Sequence, residues 1–594
     1  MTIKAKEKAK QGALEFSAAT LVAVILGALF LIFGILLLSG LLKFPLEKEK
    51  PAPLFDYTRV FPEQGRPGTI FSIRFYSTSN TSYIVHATIL NETGEVGKIM
   101  LYDDGAHGDE KASDGFYANV WDSSGRGEGP YYVNINIELP QTTQSYEKAA
   151  EFEIYKENCI ALIRNGKPDE RIDITFLGVG YNETSSLAED VAEYIDYYGK
   201  GGGLFSVSPY KENRERFNFY FVNESADLGC GLGYGEIASV VRCDDNKVME
   251  LASQCPSDQV IVLIKSEEFC GSASSYAKIC TGKAGKDVLL HELGHTLAGL
   301  GDEYEYDKVY PGFSVVATNY QFPNCDVAQC KKWQGIEGTA CFKGCGLSEL
   351  FRPTKNSCIM YGYTHKFCPV CARTILNLIT KYKKGKANET LMRPAPVPPT
   401  EKSYLVSLDK ERNTLAFKDV FVTTASAPDR KIVRRVDYSA ALLAFDGSTL
   451  YKFDFEMPDM LFPFYEEGKE KVSPFILEKS SQTIVIPYFR NAKTLEIYEK
   501  NRTILRIDLG YFAKVCGDNI CEPHENWFEC PADCPLAAPD NICAYLKDNV
   551  CDPDCPERDP DCMPEKSLIF GILVSGIAVL VIIVAILISR KHKI

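Results

Sequence analysis

Histidine is scarce in this chain, at 7 of 594 residues. An excess of positive charge is lacking too. Lys and Arg number 65 against 79 Asp and Glu, a net charge of −14, and no basic stripe interleaved with aromatics occurs. That balance excludes the electrostatic footprint of a nucleic-acid partner. Cysteine is absent before Cys159 and after Cys562, so all 21 lie between them. Such density fits disulfides formed in an oxidising compartment. The first apolar run is followed by no small-residue cleavage site, which counts against a removed secretory signal.

Two of the few histidines stand four apart, in His291-Glu292-Leu293-Gly294-His295. On a helix, residues i and i+4 share a face, so both imidazoles can reach one metal ion. Glu292 then lies beside the metal's open position, where it can take a proton from an attacking water. Asp287-Val288-Leu289-Leu290 before the motif and Thr296-Leu297-Ala298 after it continue the helical pattern. Gly299 and Gly301 offer the break that brings a third ligand back. Gly301 occupies the place where a metzincin carries its third histidine, six residues after the second, and has no side chain. Asp302 is the first side chain able to coordinate after the break, with Glu303 as the alternate, since zinc accepts carboxylate oxygen as readily as imidazole nitrogen.

The run from His291 through Gly299-Leu300-Gly301-Asp302-Glu303-Tyr304 resembles the IgA-peptidase-type family of zinc metallopeptidases. Three further stretches resemble the same family. They are Arg171–Tyr181, as its first strand and turn, Phe217–Val222, as its second strand, and Ser357-Cys358-Ile359-Met360-Tyr361 with Phe367-Cys368-Pro369-Val370-Cys371, as its methionine turn and cysteine motif. The resemblance covers about residues 159–382. It implies zinc-dependent hydrolysis of peptide bonds, with immunoglobulin A not implied as substrate. Met360 is expected to pack under the metal as an apolar support. Tyr304, Tyr361 and Tyr363 are candidates to steady an oxyanion or contact substrate. Gly271–Tyr276 is a candidate cleft edge that pairs with substrate backbone.

Residues 16–42 and 567–589 carry no charge, and each is long enough to cross a hydrocarbon core as a helix. Lys4, Lys6, Lys8 and Lys10 precede the first, and Arg590, Lys591 and Lys593 follow the second. The positive-inside rule then predicts two transmembrane helices in the cell membrane, both termini (1–15 and 590–594) cytoplasmic and the catalytic region outside the cytoplasm. Sequons at Asn80, Asn91, Asn182, Asn223, Asn388 and Asn501 fall in that outer region.

Between the spans, a linker at 43–54 leads to alternating strands at 55–155, read as an immunoglobulin-like β domain. Residues 156–390 alternate strand and helix patterns, so the expected class there is α/β, metzincin-like, with α+β as the alternative. A Pro-rich linker at 391–400 precedes a β-sandwich at 401–512. Residues 513–564 hold 8 cysteines in a segment too small for a full core, a disulfide-rich stem. Cys368-Pro369-Val370-Cys371 looks like a redox or zinc motif, but in an oxidising compartment with 11 other cysteines in the region its cysteines are read as structural disulfides. Asp103, Asp104, Asp109 and Asp114, interleaved with glycines, are candidate calcium ligands, as are Asp518, Glu525 and Asp533 in the stem; the rival reading of the first group is an Asx-turn-rich hairpin.

These observations converge on a multidomain chain with a zinc-dependent endopeptidase domain, His291, His295 and Asp302 holding Zn2+ and Glu292 as general base, acting on protein or peptide substrates. The alternative is a surface adhesion or scaffold protein whose peptidase-like domain is inactive.

Overall fold

The computed structural model describes residues 55–513 apart from short gaps, the longest at 314–321 and 384–394, together with residues 530, 533, 534 and 551. Among the described residues the protein is mostly β-sheet, 43% strand against 14% helix. This corrects the α/β expectation. The α-helices of the central region are short, at 8 to 14 residues, while the β-rich regions on either side add long hairpins.

The central feature is a nine-stranded mixed sheet. Its strands, in chain order, are β1 (Cys159–Ile163), β2 (Ile172–Val179), β3 (Phe217–Ser225), β4 (Gln259–Ile264), β5 (Gly271–Ala273), β6 (Ala277–Cys280), β7 (Ala395–Pro396), β8 (Met460–Pro463) and β9 (Phe475–Ile476). Across the sheet they run β7-β1-β3-β2-β4-β6-β5-β8-β9. The pairs β2–β3, β2–β4 and β4–β6 are parallel. Parallel strands are covered on both faces, and β2 shows it. Ile172, Ile174 and Phe176 enter one core, while Leu177 enters the other. Asp173 and Thr175, which alternate with them along the strand, are buried too. Asn218 donates to Asp173 at 2.7 Å and Thr175 donates to the Pro256 carbonyl, so neither polar group is left unsatisfied.

Four α-helices are described: α1 (Thr184–Tyr194), α2 (Asp245–Ala252), α3 (Gly285–Ala298) and α4 (Pro369–Ile379). α3 is buried along nearly its whole length, with Val288, Leu289, Leu290, Leu293 and Leu297 in the main core. It packs on β5, β6 and α4. Gly271 permits the close approach to β5, since a Cβ there would sit 2.3 Å from Val288.

In the first β region, Ile84–Asn91, Gly94–Leu101, Gly129–Leu139 and Thr142–Ile154 form one sheet with Gln64–Gly65. Phe71, Trp121 and Phe152 pack their rings together between that sheet and the strands Ile70–Ser77 and Phe116–Asp122. The latter two belong to a sheet that continues through Val422↔Ile70 into Thr414–Thr424, Lys402–Glu411 and Lys479–Pro487. A four-stranded sheet of Tyr438–Ala444, Thr449–Phe455, Ala492–Glu499 and Arg502–Asp508 shares a core with those later strands.

The spans 16–42 and 567–589 lie outside the described residues. Among the described residues, no helix is long and apolar enough to cross a membrane. The 14 residues of α3 reach about 21 Å, against about 30 Å of hydrocarbon. No described helix supplies the membrane embedding through two helices, or the cell-membrane location with both termini cytoplasmic, that the sequence predicts, and neither is carried further.

Candidate metal centre

α3 carries His291, Glu292 and His295 on one buried helix. It ends at Gly299, in the left-handed region at φ 61°, whose N–H reaches back to the Gly294 and His295 carbonyls. Glycine is the residue that adopts this conformation without Cβ strain. Beyond it the chain returns, and Asn324 holds the return: its Oδ1 accepts from Gly301 N–H, and its Nδ2 donates to the Gly301 carbonyl, both at 2.8 Å. Asp302 arrives opposite the two imidazoles.

His291 Nε2 lies 3.0 Å from Asp302 Oδ1 and 3.0 Å from His295 Nε2, and His295 Nε2 lies 3.4 Å from Asp302 Oδ1. All three residues are 0–1% exposed. His291 Nδ1–H donates to the Ile359 carbonyl at 3.0 Å, and His295 Nδ1–H to the Leu300 carbonyl at 2.6 Å. Those bonds put the proton of a neutral ring on Nδ1 and leave a lone pair on each Nε2. Two lone pairs and a carboxylate oxygen facing one another in a dry core call for a cation at their centre. The spacing agrees, since donors about 2.0–2.1 Å from a tetrahedral zinc are about 3.3 Å apart. The residues present fit a zinc ion.

Burial favours the neutral His291 ring, and its pKa is lowered. Burial would raise Asp302, but the two imidazoles of His295 and His291 beside it hold its carboxyl below the usual range. Tyr306 donates to Asp302 Oδ2 at 2.9 Å and fixes its orientation. Glu292 is fully buried with neither carboxylate oxygen hydrogen-bonded. Burial first, then the Asp302 charge, pushes it well above the ordinary value, opposed by Lys278. Lys278 is itself buried on β6 and lowered to about 8 by burial, opposed by Asp245 and Glu292.

Met360 packs beneath the motif. Its Sδ lies 2.7 Å from where a Cβ on Gly294 would sit, and its carbonyl accepts from Glu303 N–H at 2.8 Å. Glu303, the alternate ligand, points away from the imidazoles and toward Cys358, Cys368 and Cys371. Tyr304 is buried, with its ring 6.3 Å from that of His291 and its hydroxyl donating to the Pro463 carbonyl at 3.4 Å. Tyr363 donates to the Tyr465 carbonyl at 2.9 Å, and Tyr465 donates to the Tyr361 carbonyl. His365 bridges Asp287 and Ser206 at 2.8 and 2.7 Å, away from the centre.

Sequence reasoning missed the cover over this centre. β8 pairs antiparallel with β5, Ser272 opposite Pro463 and Ala273 opposite Phe462. The Phe464 ring centre lies 4.2 Å from that of His291, and Phe462 lies 4.3 Å from His295. It also missed Tyr306, Asn324 and Lys278. No motif marks these residues; their roles come from contacts between distant segments.

Three groups of described side chains could hold a metal ion: His291, His295 and Asp302; Glu303, Cys358, Cys368 and Cys371; and Asp103, Asp109 and Asp114. In the third, Asp103 accepts from Asp114 and Gly115 N–H, and Asp109 from Gly105 N–H. Burial pushes Asp109 up to about 6. Asp104 turns instead to His107, at 2.7 Å. Asp518 and Glu525 lie outside the described residues, while Asp533 is buried beside the disulfide-bonded Cys530.

Among the described residues of the central region, five disulfides join Cys159–Cys255, Cys230–Cys243, Cys270–Cys280, Cys325–Cys345 and Cys330–Cys341. Cys358, Cys368 and Cys371 are free and buried. That corrects the disulfide reading of Cys368 and Cys371, whose thiols face a carboxylate as well as each other.

No family model matches the chain. Over 85 residues it is 34% identical to an uncharacterized protein of Archaeoglobus fulgidus. The match takes in 14% of this chain and spans 36% of that relative's length. A solved cycloisomaltooligosaccharide glucanotransferase of Paenibacillus, complexed with cycloisomaltoheptaose, aligns over 77% of this chain and 72% of its own at 8% identity. Its TM-score of 0.14 is too low to relate the two folds.

Proposed function

We propose that the chain is a zinc-dependent endopeptidase acting on protein or peptide substrates. The observation that carries this is the pair of imidazoles locked by their Nδ1 protons, with both Nε2 atoms and Asp302 Oδ1 converging beside a buried carboxylate that has no partner. His291, His295 and Asp302 would hold the ion. A zinc ion bound there supplies Lewis acidity, which makes water a stronger acid and a peptide carbonyl more electrophilic.

The rest falls to the chain's own residues. Glu292, raised by burial, is a stronger base than a solvated glutamate. One of its carboxylate oxygens takes a proton from the attacking water and later delivers it to the departing amine nitrogen. β5 supplies backbone groups that an extended substrate can pair with, as β8 does in the structure. Tyr306 keeps Asp302 oriented.

Glu292→Gln tests the reading. Zinc content and fold should match the parent, while hydrolysis of an unstructured protein falls by about 10²- to 10⁴-fold, the usual worth of a general base. Parent-like turnover in the zinc-loaded variant removes the proposed role. Zinc without any hydrolysis by the parent supports the adhesion or scaffold alternative.

A further inference from the structure

Glu303 directly follows Asp302, and Cys358 stands two residues before Met360. Cys368 caps α4, and Cys371 lies in its first turn. The four side chains are 0–1% exposed, and one ligand atom from each lies within 4.8 Å of all the others. Cys358 Sγ and Cys371 Sγ are 3.8 Å apart. Glu303 Oε1 lies 3.3 Å from Cys368 Sγ and 3.2 Å from Cys371 Sγ, and its Oε2 is buried without a partner. Around a tetrahedral zinc, with Zn–S of ~2.3 Å and Zn–O of ~2.0 Å, sulfurs stand about 3.8 Å apart and sulfur and oxygen about 3.5 Å. Backbone N–H groups of Cys368 and Cys371 donate to the sulfurs of Cys358 and Cys368, at 3.2 and 3.4 Å, as they do for thiolates. The start of α4 adds partial positive charge there.

We propose that Glu303, Cys358, Cys368 and Cys371 form a second, structural zinc site, separate from the histidine centre. Ten cysteines of the same region are paired in disulfides, while these three remain thiols. Three thiols cannot all pair, and a disulfide between two would strand a buried thiol beside a buried carboxylate. A divalent cation uses all four groups. It also ties together the segments that carry Asp302 and the Ile359 carbonyl, so this site positions the histidine centre without touching substrate.

Metal analysis of the full chain loaded with zinc should find an equivalent that survives in His291→Ala/His295→Ala and is lost in Cys368→Ser/Cys371→Ser. Cobalt loaded into the His291→Ala/His295→Ala variant should give a thiolate-to-metal charge-transfer band, since among the described residues only this cluster offers free thiols. That reading does not need the cysteine variant to fold. A disulfide among the three cysteines in the intact protein, or a cobalt-loaded histidine variant without the thiolate band, overturns the site.

An independent observation concerns the cover. From the arrangement of Met460–Tyr465 we infer autoinhibition: this segment occupies the substrate's place and must leave β5 before a substrate enters. The inference rests on the peptidase reading. Phe464 N–H donates to the Gly271 carbonyl at 3.3 Å, extending the β5–β8 pairing, while Phe462 and Phe464 lie on the two imidazoles. Tyr304 and Tyr363 hold the carbonyls of Pro463 and Tyr465. Phe462→Ala/Phe464→Ala should hydrolyse an unstructured protein several-fold faster than the parent, and should lose zinc from the histidine centre to a chelator faster. Zinc loss at the parent rate overturns the cover. Faster zinc loss with no hydrolysis by either protein keeps the cover and removes the peptidase reading.

Discussion

Asp302→Ala removes one of three converging donors and leaves two buried imidazoles facing each other. The carboxylate is 1% exposed and lies within 3.0–3.4 Å of both Nε2 atoms. Breaking a buried charged pair by removing one partner costs about 3–5 kcal/mol. At about 1.4 kcal/mol per tenfold, that is a hundred- to several-thousand-fold loss of zinc affinity at the histidine centre. Tyr306→Phe keeps the ligand and removes only the hydroxyl that orients it, where losses of about 10–100-fold are typical. Glu303→Ala should cost the histidine centre less than Asp302→Ala does, because that side chain faces the cysteines and not the imidazoles. Competition against a chromogenic chelator gives all three affinities, and circular dichroism confirms the folds. The Cys368→Ser background isolates the histidine centre. The ligand assignment fails if Asp302→Ala binds like the parent, or if Glu303→Ala loses more than Asp302→Ala does.

Gly294→Ala places a Cβ 2.7 Å from Met360 Sδ, so the support beneath the motif must shift. Denaturant unfolding should show a loss of about 1–3 kcal/mol, and parent stability would mean that Met360 moves freely. Asp173 is pushed up to about 8, by burial first and then by the Asp429 charge, from a usual 3.8. Its folded state therefore holds the proton more tightly than the unfolded chain. The stability this contributes is complete below pH 3.8 and is lost as pH rises through about 8. Asp173→Asn should flatten the fall in melting temperature across that window, and parallel curves for the two proteins would refute the account.

The chemistry-bearing residues were legible because helix geometry is local. A spacing of four fixes both histidines on one face whatever surrounds them, and Gly299 announces the turn that follows. Met360 packs against the bare Gly294 of the motif, a contact between segments more than sixty residues apart. Asp302 and Glu303 are neighbours of similar chemistry, and only the fold shows one facing the imidazoles and the other the thiols. Cys368-Pro369-Val370-Cys371 presented the same difficulty. Its spacing suits a disulfide or a metal, and the carboxylate that argues between them comes from a segment more than sixty residues away.

The amino-acid sequence by itself determined the helix with its two histidines and glutamate, the break after it, and the strands of each β region. These depend on periodicity and on backbone preferences within a few residues. The tertiary structure alone decided the predominance of β-sheet, the sheet shared between the first and last β regions, and the covering of the centre by Phe462 and Phe464. Those features rest on pairing and burial between segments up to hundreds of residues apart. Edge hydrogen bonds and apolar contact favour such pairings without any local sequence signature.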